Sequence, residues 1–170
     1  WSFRDGDADV FTMNTDGMGE VNVTNSAGWD FNPAWSPDGT SITFQSERDG
    51  NSEIYVVDVG TGEQTRLTDS LSFDGSPAWS PDGQKILFHS DRDENGRDGN
   101  FEIYSMNADG SESERLTQET VKDMEPAWSE DGGTIFYVSW PGGDPDVYRM
   151  KADGSEQVVM TRSGAADISP

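Results

Sequence analysis

Pro33-Ala34-Trp35-Ser36-Pro37-Asp38-Gly39 returns unchanged as Pro77-Ala78-Trp79-Ser80-Pro81-Asp82-Gly83. With one exchange it returns again as Pro126-Ala127-Trp128-Ser129-Glu130-Asp131-Gly132. The three copies start 44 and then 49 residues apart. A second motif, an acid followed by Ile or Val and an aromatic, keeps the same intervals: Asp9-Val10-Phe11, Glu53-Ile54-Tyr55, Glu102-Ile103-Tyr104 and Asp146-Val147-Tyr148. Two motifs in locked register define an internal repeat, and a period in the forties belongs to propeller blades or solenoid units.

Within residues 29–68 the pattern predicts four short strands. Phe31–Trp35 is the first. Ser36-Pro37-Asp38-Gly39 is a tight turn, with Pro fixing one φ and Gly supplying a positive one. Ser41–Ser46 alternates, Ile42 and Phe44 pointing inward, Thr43 and Gln45 outward. Glu53–Asp58 and Thr65–Thr68 complete the unit, and Asn107-Ala108-Asp109-Gly110 and Ala152-Asp153-Gly154 mark the last hairpin in the sister units. No stretch carries helical periodicity. The expected fold is all-β: β-propeller blades of four antiparallel strands, three complete blades plus a partial N-terminal blade. The blades fall at about 1–25 (partial), 29–68, 73–117 and 122–161 of a single region 1–170. The partial blade is expected to hold only its last two strands, near Ala8–Met13 and Glu20–Thr24.

The run Pro-Ala-Trp-Ser-Pro-Asp-Gly, an apolar strand, Ser-x-Arg-Asp-Gly-Asn-x-Glu-Ile-Tyr, Asn-Ala-Asp-Gly and Arg-Leu-Thr resembles the PD40 (WD40-like) repeat of TolB-like propellers, and does so over essentially the whole chain. The resemblance implies a rigid periplasmic platform that binds partner proteins, in rings usually of six blades. The same blades occur in peptidases and surface proteins, so fold does not decide function. TolB's separate N-terminal domain has no counterpart in these 170 residues, and a Tol-Pal role is not carried over. The repeat count leaves three expectations open: a fragment of a longer chain, completion by further copies as a ring or polymer, or a closed four-bladed ring.

Charge narrows the function classes. The chain has 33 acidic and 11 basic residues, a net charge of −22. That excludes an electrostatic nucleic-acid binder and argues against docking on anionic lipid. Only Lys85, Lys122 and Lys151 are lysines, a bias shared with salt-adapted proteins. Aromatics at 11% rule out a disordered acidic chain. With no Cys there are no disulfides or thiolate sites, and no apolar run reaches the roughly 18 residues of a membrane span.

One segment carries metal chemistry. The additional five residues of the 49-residue interval fall between the second and third strands of the 73–117 blade. There Asp91-Arg92-Asp93-Glu94-Asn95-Gly96-Arg97-Asp98-Gly99-Asn100-Phe101-Glu102 matches the twelve-residue calcium loop at every defined position. Asp91, Asp93 and Asn95 would each give one oxygen, Arg97 its carbonyl and Glu102 both carboxylate oxygens to Ca2+. Weaker sets recur at the equivalent turn: Asp5, Asp7 and Asp9; Asp49, Asn51 and Glu53; Asp98, Asn100 and Glu102. The alternative for these is turn capping, or pairing with Arg4, Arg48, Arg92 and Arg97. Asn22-Val23-Thr24 is a candidate glycosylation acceptor at Asn22.

The only His, His89, sits at a repeat position held by Gln45 and Val138, which favours structure over catalysis. No Gly-x-Ser-x-Gly, Walker or dinucleotide motif is present, while the abundant carboxylates leave a glycosidase pair open. Trp35, Trp79 and Trp128 recur once per blade as packing residues, whereas Trp1, Trp29 and Trp140 fall outside the repeat as contact candidates. The expectation is a non-catalytic secreted or periplasmic scaffold that binds protein, itself included, with blade loops stiffened by Ca2+. The alternatives are a subunit of a homo-oligomer or filament built by inter-chain blade completion, and a glycan-active or peptidase-associated propeller.

Overall fold

A computed structural model describes residues 1–4, 6–92, 100–118 and 120–161. Among them there is no helix. Blade 1 consists of β1 (Ser2–Arg4), β2 (Asp7–Asp9), β3 (Phe11–Thr12) and β4 (Val21–Asn22). Blade 2 is β5 (Asp30–Trp35), β6 (Ser41–Ser46), β7 (Glu53–Asp58) and β8 (Gln64–Arg66). Blade 3 is β9 (Asp74–Trp79), β10 (Lys85–Ser90), β11 (Glu102–Asn107) and β12 (Glu114–Arg115). Blade 4 is β13 (Asp123–Trp128), β14 (Thr134–Ser139), β15 (Asp146–Lys151) and β16 (Val158–Val159). Blades 2, 3 and 4 are antiparallel sheets in sequence order, as propeller blades are. Blade 1 holds more than its last two strands, because β1 pairs with β2 through Ser2–Asp9, Phe3–Ala8 and Arg4–Asp7.

The core lies in the seams between blades. Val10 of blade 1 packs with Ile42, Phe44, Tyr55 and Val57 of blade 2. Ile54 of blade 2 packs with Ile86, Phe88, Tyr104 and Met106 of blade 3. Leu87, Ile103 and Leu116 of blade 3 pack with Ile135, Tyr137 and Met150 of blade 4. Successive residues of a strand face opposite sides, so a sheet with a neighbour on each side buries both faces. Hence Ile86, Leu87 and Phe88 are all fully buried. The same fact corrects the expectation for β6: Thr43 and Gln45 do not point to solvent but are buried, at 0% and 1% exposure, on the face toward blade 3.

The repeated turn explains its own sequence. Ser36 Oγ donates to Asp38 Oδ1 at 2.6 Å, the same oxygen accepts from Thr40 N–H at 3.0 Å, and Ser41 N–H donates back to Ser36 Oγ at 2.9 Å. Ser80-Asp82 and Ser129-Asp131 repeat this network. The serine hydroxyl, followed by the backbone N–H, holds each of these three carboxyls below the usual Asp range. Close approach demands glycine in the other hairpin. A Cβ on Gly110, at φ +86°, would sit 2.6 Å from the Leu67 carbonyl oxygen of the preceding blade.

Each first strand is bulged. The register shifts between Phe31 and Ala34 in β5 and between Met124 and Ala127 in β13, and between Leu87 and His89 where β10 meets β9. At these points Asn32, Ser76 and Glu125 take φ values of 51°, 49° and 54°. A bulge re-aims a backbone N–H out of the ladder, and that N–H needs a partner.

Candidate functional site

The acid of each acid–aliphatic–aromatic triplet is a clip. Glu53, at 0% exposure, accepts from Asn51 Nδ2 at 2.8 Å, Arg66 Nη2 at 2.8 Å, Thr68 Oγ1 at 2.6 Å and Ser70 N–H at 3.0 Å. Thr68 Oγ1 in turn accepts the Ile54 N–H at 2.9 Å. Blade 3 repeats it: Glu102 accepts from Asn100, Arg115 and Thr117, and Thr117 accepts from Ile103 N–H at 3.0 Å. In blade 1, Asp9 accepts from Thr24 at 3.1 Å and Asn22 Nδ2 at 2.9 Å. In blade 4, Asp146 accepts from Thr161 at 3.3 Å. The clip ties strand three to the chain leaving strand four, and a buried carboxylate survives there because charged and polar donors surround it.

This geometry decides what the candidate ligands do. Asp49 accepts from the Tyr55 hydroxyl and lies 3.5 Å from Arg66, so one guanidinium supplies positive charge to both Asp49 and Glu53. Burial, then the bond to Asp49, pushes the Tyr55 phenol up to about 12. Asn51 also donates to the Ser70 and Ser72 carbonyls at 2.9 Å each. Asp7 lies in β2, half-buried. Asp91 Oδ1 accepts the Phe73 N–H at 2.7 Å. Asp5, Asp93, Asn95, Arg97 and Asp98 lie outside the described residues. Among the described residues, three or more acidic or His side chains do not come together as a metal would need. Asn22 has its amide nitrogen on Asp9 and its oxygen on the N–H groups of Thr24 and Asn25, at 3.1 and 3.0 Å.

Two further devices hold the arc. Arg48 spans Asp30 at 3.1 Å, Ser46 Oγ at 2.7 Å and Gln64 at 2.7 Å, with its guanidinium 4.5 Å from the Tyr55 ring centre. Arg92 does the same in blade 3 with Asp74, Ser90 and the Phe88 ring. The second device serves the bulges. Gln45 Oε1 of blade 2 accepts the Ser76 N–H of blade 3 at 3.3 Å, and His89 Nδ1 of blade 3 accepts the Glu125 N–H of blade 4 at 3.4 Å. His89 is 3% exposed, stacked on Phe73 at 5.7 Å and met edge-on by Phe101 at 5.3 Å. Burial pulls its imidazole down to about 4, so it is neutral and free to accept.

The tryptophans separate by position. Trp79 and Trp128 wedge into the blade 2–3 and blade 3–4 seams, whereas Trp35 is 52% exposed. Trp1 and Trp29 are about half exposed, and each meets Phe3 edge-on. Beside Trp128 the seam opens into a cleft of about 580 Å³.

Comparison with known proteins places this architecture. The putative TolB of Agrobacterium tumefaciens superposes with a TM-score of 0.82 at 29% identity, over 92% of this chain and 57% of that one. TolB of Acinetobacter baumannii gives 0.81 at 30% identity, over 93% of this chain and 38% of that one. The chain thus spans less than two thirds of either. An oligogalacturonate lyase of Vibrio parahaemolyticus shares the fold alone, with a TM-score of 0.71 at 16% identity over 91% of this chain and 46% of that one. No curated protein matches the chain. The TolB beta propeller domain, PD40, matches residues 1–97 and 94–170. The chain belongs to the TolB beta-propeller (PD40) family.

Proposed function

We propose that the chain is a non-catalytic, periplasmic or extracellular propeller scaffold that binds protein partners. The observation that carries this is His89. The single imidazole, the natural general base of a hydrolytic site, is enclosed by Phe73 and Phe101 and spends its Nδ1 lone pair on a blade-to-blade bond. The recurrent carboxylates are likewise engaged by framework Arg, Thr and Asn donors. The TolB-like propeller fold is compatible with a binding role, and because a lyase shares the fold its substrate class belongs in the test. The test pairs two assays on one preparation: capture of an interacting protein from an extracytoplasmic extract, with affinity then measured on the purified partner, and turnover of oligogalacturonide and peptide panels. A defined partner with no turnover supports the scaffold; turnover by the wild type overturns it.

Calcium enters as part of the same proposal. The Asp91–Glu102 segment keeps the loop spacing, and the Arg115–Thr117–Glu102 clip accounts for Glu102 without a metal. Ca2+ would therefore draw on Asp91, Asp93, Asn95 and the Arg97 carbonyl. Millimolar extracellular Ca2+ would fill even a weak site of this kind. Melting curves with Ca2+ and with EGTA, for the wild type and Asp93→Ala, test it. A shift in the wild type alone supports the site, and its absence removes Ca2+ from the proposal.

Self-association is the second reading. Met160 is 52% exposed, whereas Leu116 at the same repeat position is 8% exposed against blade 4. Trp35, also 52% exposed, is the counterpart of the seam residue Trp79 and lies on the blade 1 side of blade 2. A second copy would cover both faces. Sedimentation at a single 18.6 kDa species excludes it.

A further inference from the structure

The cleft between blades 3 and 4 is not a generic property of the repeat. The matching seam between blades 2 and 3, beside Trp79, holds only about 200 Å³ where its sister holds about 580 Å³. Two departures from the repeat fall among the lining residues of the larger cleft. Ser105 stands where blade 2 has Val56, which removes bulk from the wall, and Glu114 stands where blade 2 has Thr65, which adds charge at the mouth. Ser105 alternates with Tyr104 and Met106 in β11, so it shares the face of Ile103, which packs toward blade 4.

Ser105 is 8% exposed, lines the cleft, and its hydroxyl makes no hydrogen bond among the described residues. A hydroxyl on a largely buried serine, open to a cleft and without a protein partner, is a donor and acceptor available to a ligand. The floor beside it is apolar, formed by Leu116 and the Trp128 ring. The rim is anionic: Asp82, Asp131 and Asp153 join Glu114, against the one cation, Lys85, among the described lining residues. Serine hydroxyls hold those three Asp carboxyls below their ordinary range, so they are charged at neutral pH.

An apolar floor with an aromatic face, an anionic rim and an unpartnered serine hydroxyl fit one side-chain chemistry: a cation on an aliphatic stem. We propose that the cleft takes an arginine or lysine side chain presented by a partner protein. Its stem lies on Trp128 and Leu116, and its head is held by the rim carboxylates and the Ser105 hydroxyl. This rests on the chain being a protein-binding scaffold and names the partner's contact as a basic segment. The charge match between that segment and a surface of −22 also speeds encounter.

The probe is the peptide acetyl-Gly-Leu-Arg-Leu-Gly-amide, with its Arg→Glu analogue as control, titrated into the ¹⁵N-labelled chain. The readout is the Trp128 indole resonance, assigned with Trp128→Phe. The blocking variant Ser105→Val/Glu114→Thr installs residues that blade 2 already uses, and its melting temperature reports that it folds. Glu114→Gln is a milder second variant at an exposed position. The expected result is a saturable Trp128 shift with the Arg peptide, none with the Glu peptide, and binding about tenfold weaker in the double variant. Several-fold weakening is expected for Glu114→Gln. Diffuse surface shifts that spare Trp128, or equal affinity in both variants, overturn the assignment. If the double variant still captures the partner of the scaffold assay, the cleft is dismissed and the scaffold stands. If the wild type captures none, the scaffold itself falls.

Discussion

His89→Gln separates a histidine that serves the β13 bulge as an acceptor from a merely buried one. Gln already performs the same task one blade earlier, where Gln45 Oε1 accepts the Ser76 N–H at 3.3 Å. The exchange should therefore keep the acceptor for Glu125 N–H while removing the only titratable imidazole. Burial lowers the His89 pKa from 6.5 to about 4. Between these values the unfolded chain binds a proton that the folded one refuses, so stability is complete above pH 6.5 and declines as pH falls toward 4. Each tenfold loss of proton affinity on folding is worth about 1.4 kcal/mol, giving about 3 kcal/mol over the whole window and about 2 kcal/mol between pH 7 and pH 5. For a chain of this size that is roughly 4–8 °C in Tm. Thermal or urea melts of both proteins at pH 7 and pH 5 provide the double difference, in which titrations common to both cancel. The wild type should lose about 2 kcal/mol more than His89→Gln on going to pH 5. Equal losses would refute the buried neutral acceptor, and a variant that fails to fold at pH 7 would refute the equivalence with Gln45.

The same framework sets three further contrasts. Arg66→Ala leaves the Glu53 carboxylate buried without its cation, and should cost about 3–5 kcal/mol in urea unfolding. Gly110→Ala drives a Cβ to 2.6 Å from the Leu67 carbonyl oxygen at φ +86°, whereas Gly39→Ala, at φ +70°, meets nothing within 4 Å. The second should cost only the left-handed penalty of about 1 kcal/mol, and the first measurably more by the same melts. Trp128→Ala should cost about 3–5 kcal/mol because the ring fills a seam, and Trp35→Ala, at 52% exposure, well under half of that.

Much of the fold was legible because the repeat is written in punctuation. The Ser-Pro-Asp-Gly turns and the acid–aliphatic–aromatic triplets mark strand ends, and the strands expected at Ser41–Ser46 and Glu53–Asp58 are β6 and β7 residue for residue. Burial was less legible. Thr43 and Gln45 read as solvent-facing on an alternating pattern, yet a blade is covered on both faces by its neighbours, and no local pattern shows that. The clip had an unread signal: Thr24, Thr68, Thr117 and Thr161 each follow their acid by 15 residues. That interval distinguishes a structural carboxylate from a free ligand, which composition alone could not. The bulges left no signal, since Asn32, Ser76 and Glu125 share a φ but no residue type. The cleft lies between these cases. The exchanges of Val56 for Ser105 and Thr65 for Glu114 are visible on aligning the blades, but their meaning appears only once the seam brings Trp128 beside them.

The most direct measurement of the central claim, that this chain is a binding scaffold, is a calorimetric titration of the intact wild-type protein with the partner purified from the capture assay. Saturable one-to-one binding with no product formed during the titration is expected. The absence of saturable heat, or consumption of the titrant by turnover, would contradict it.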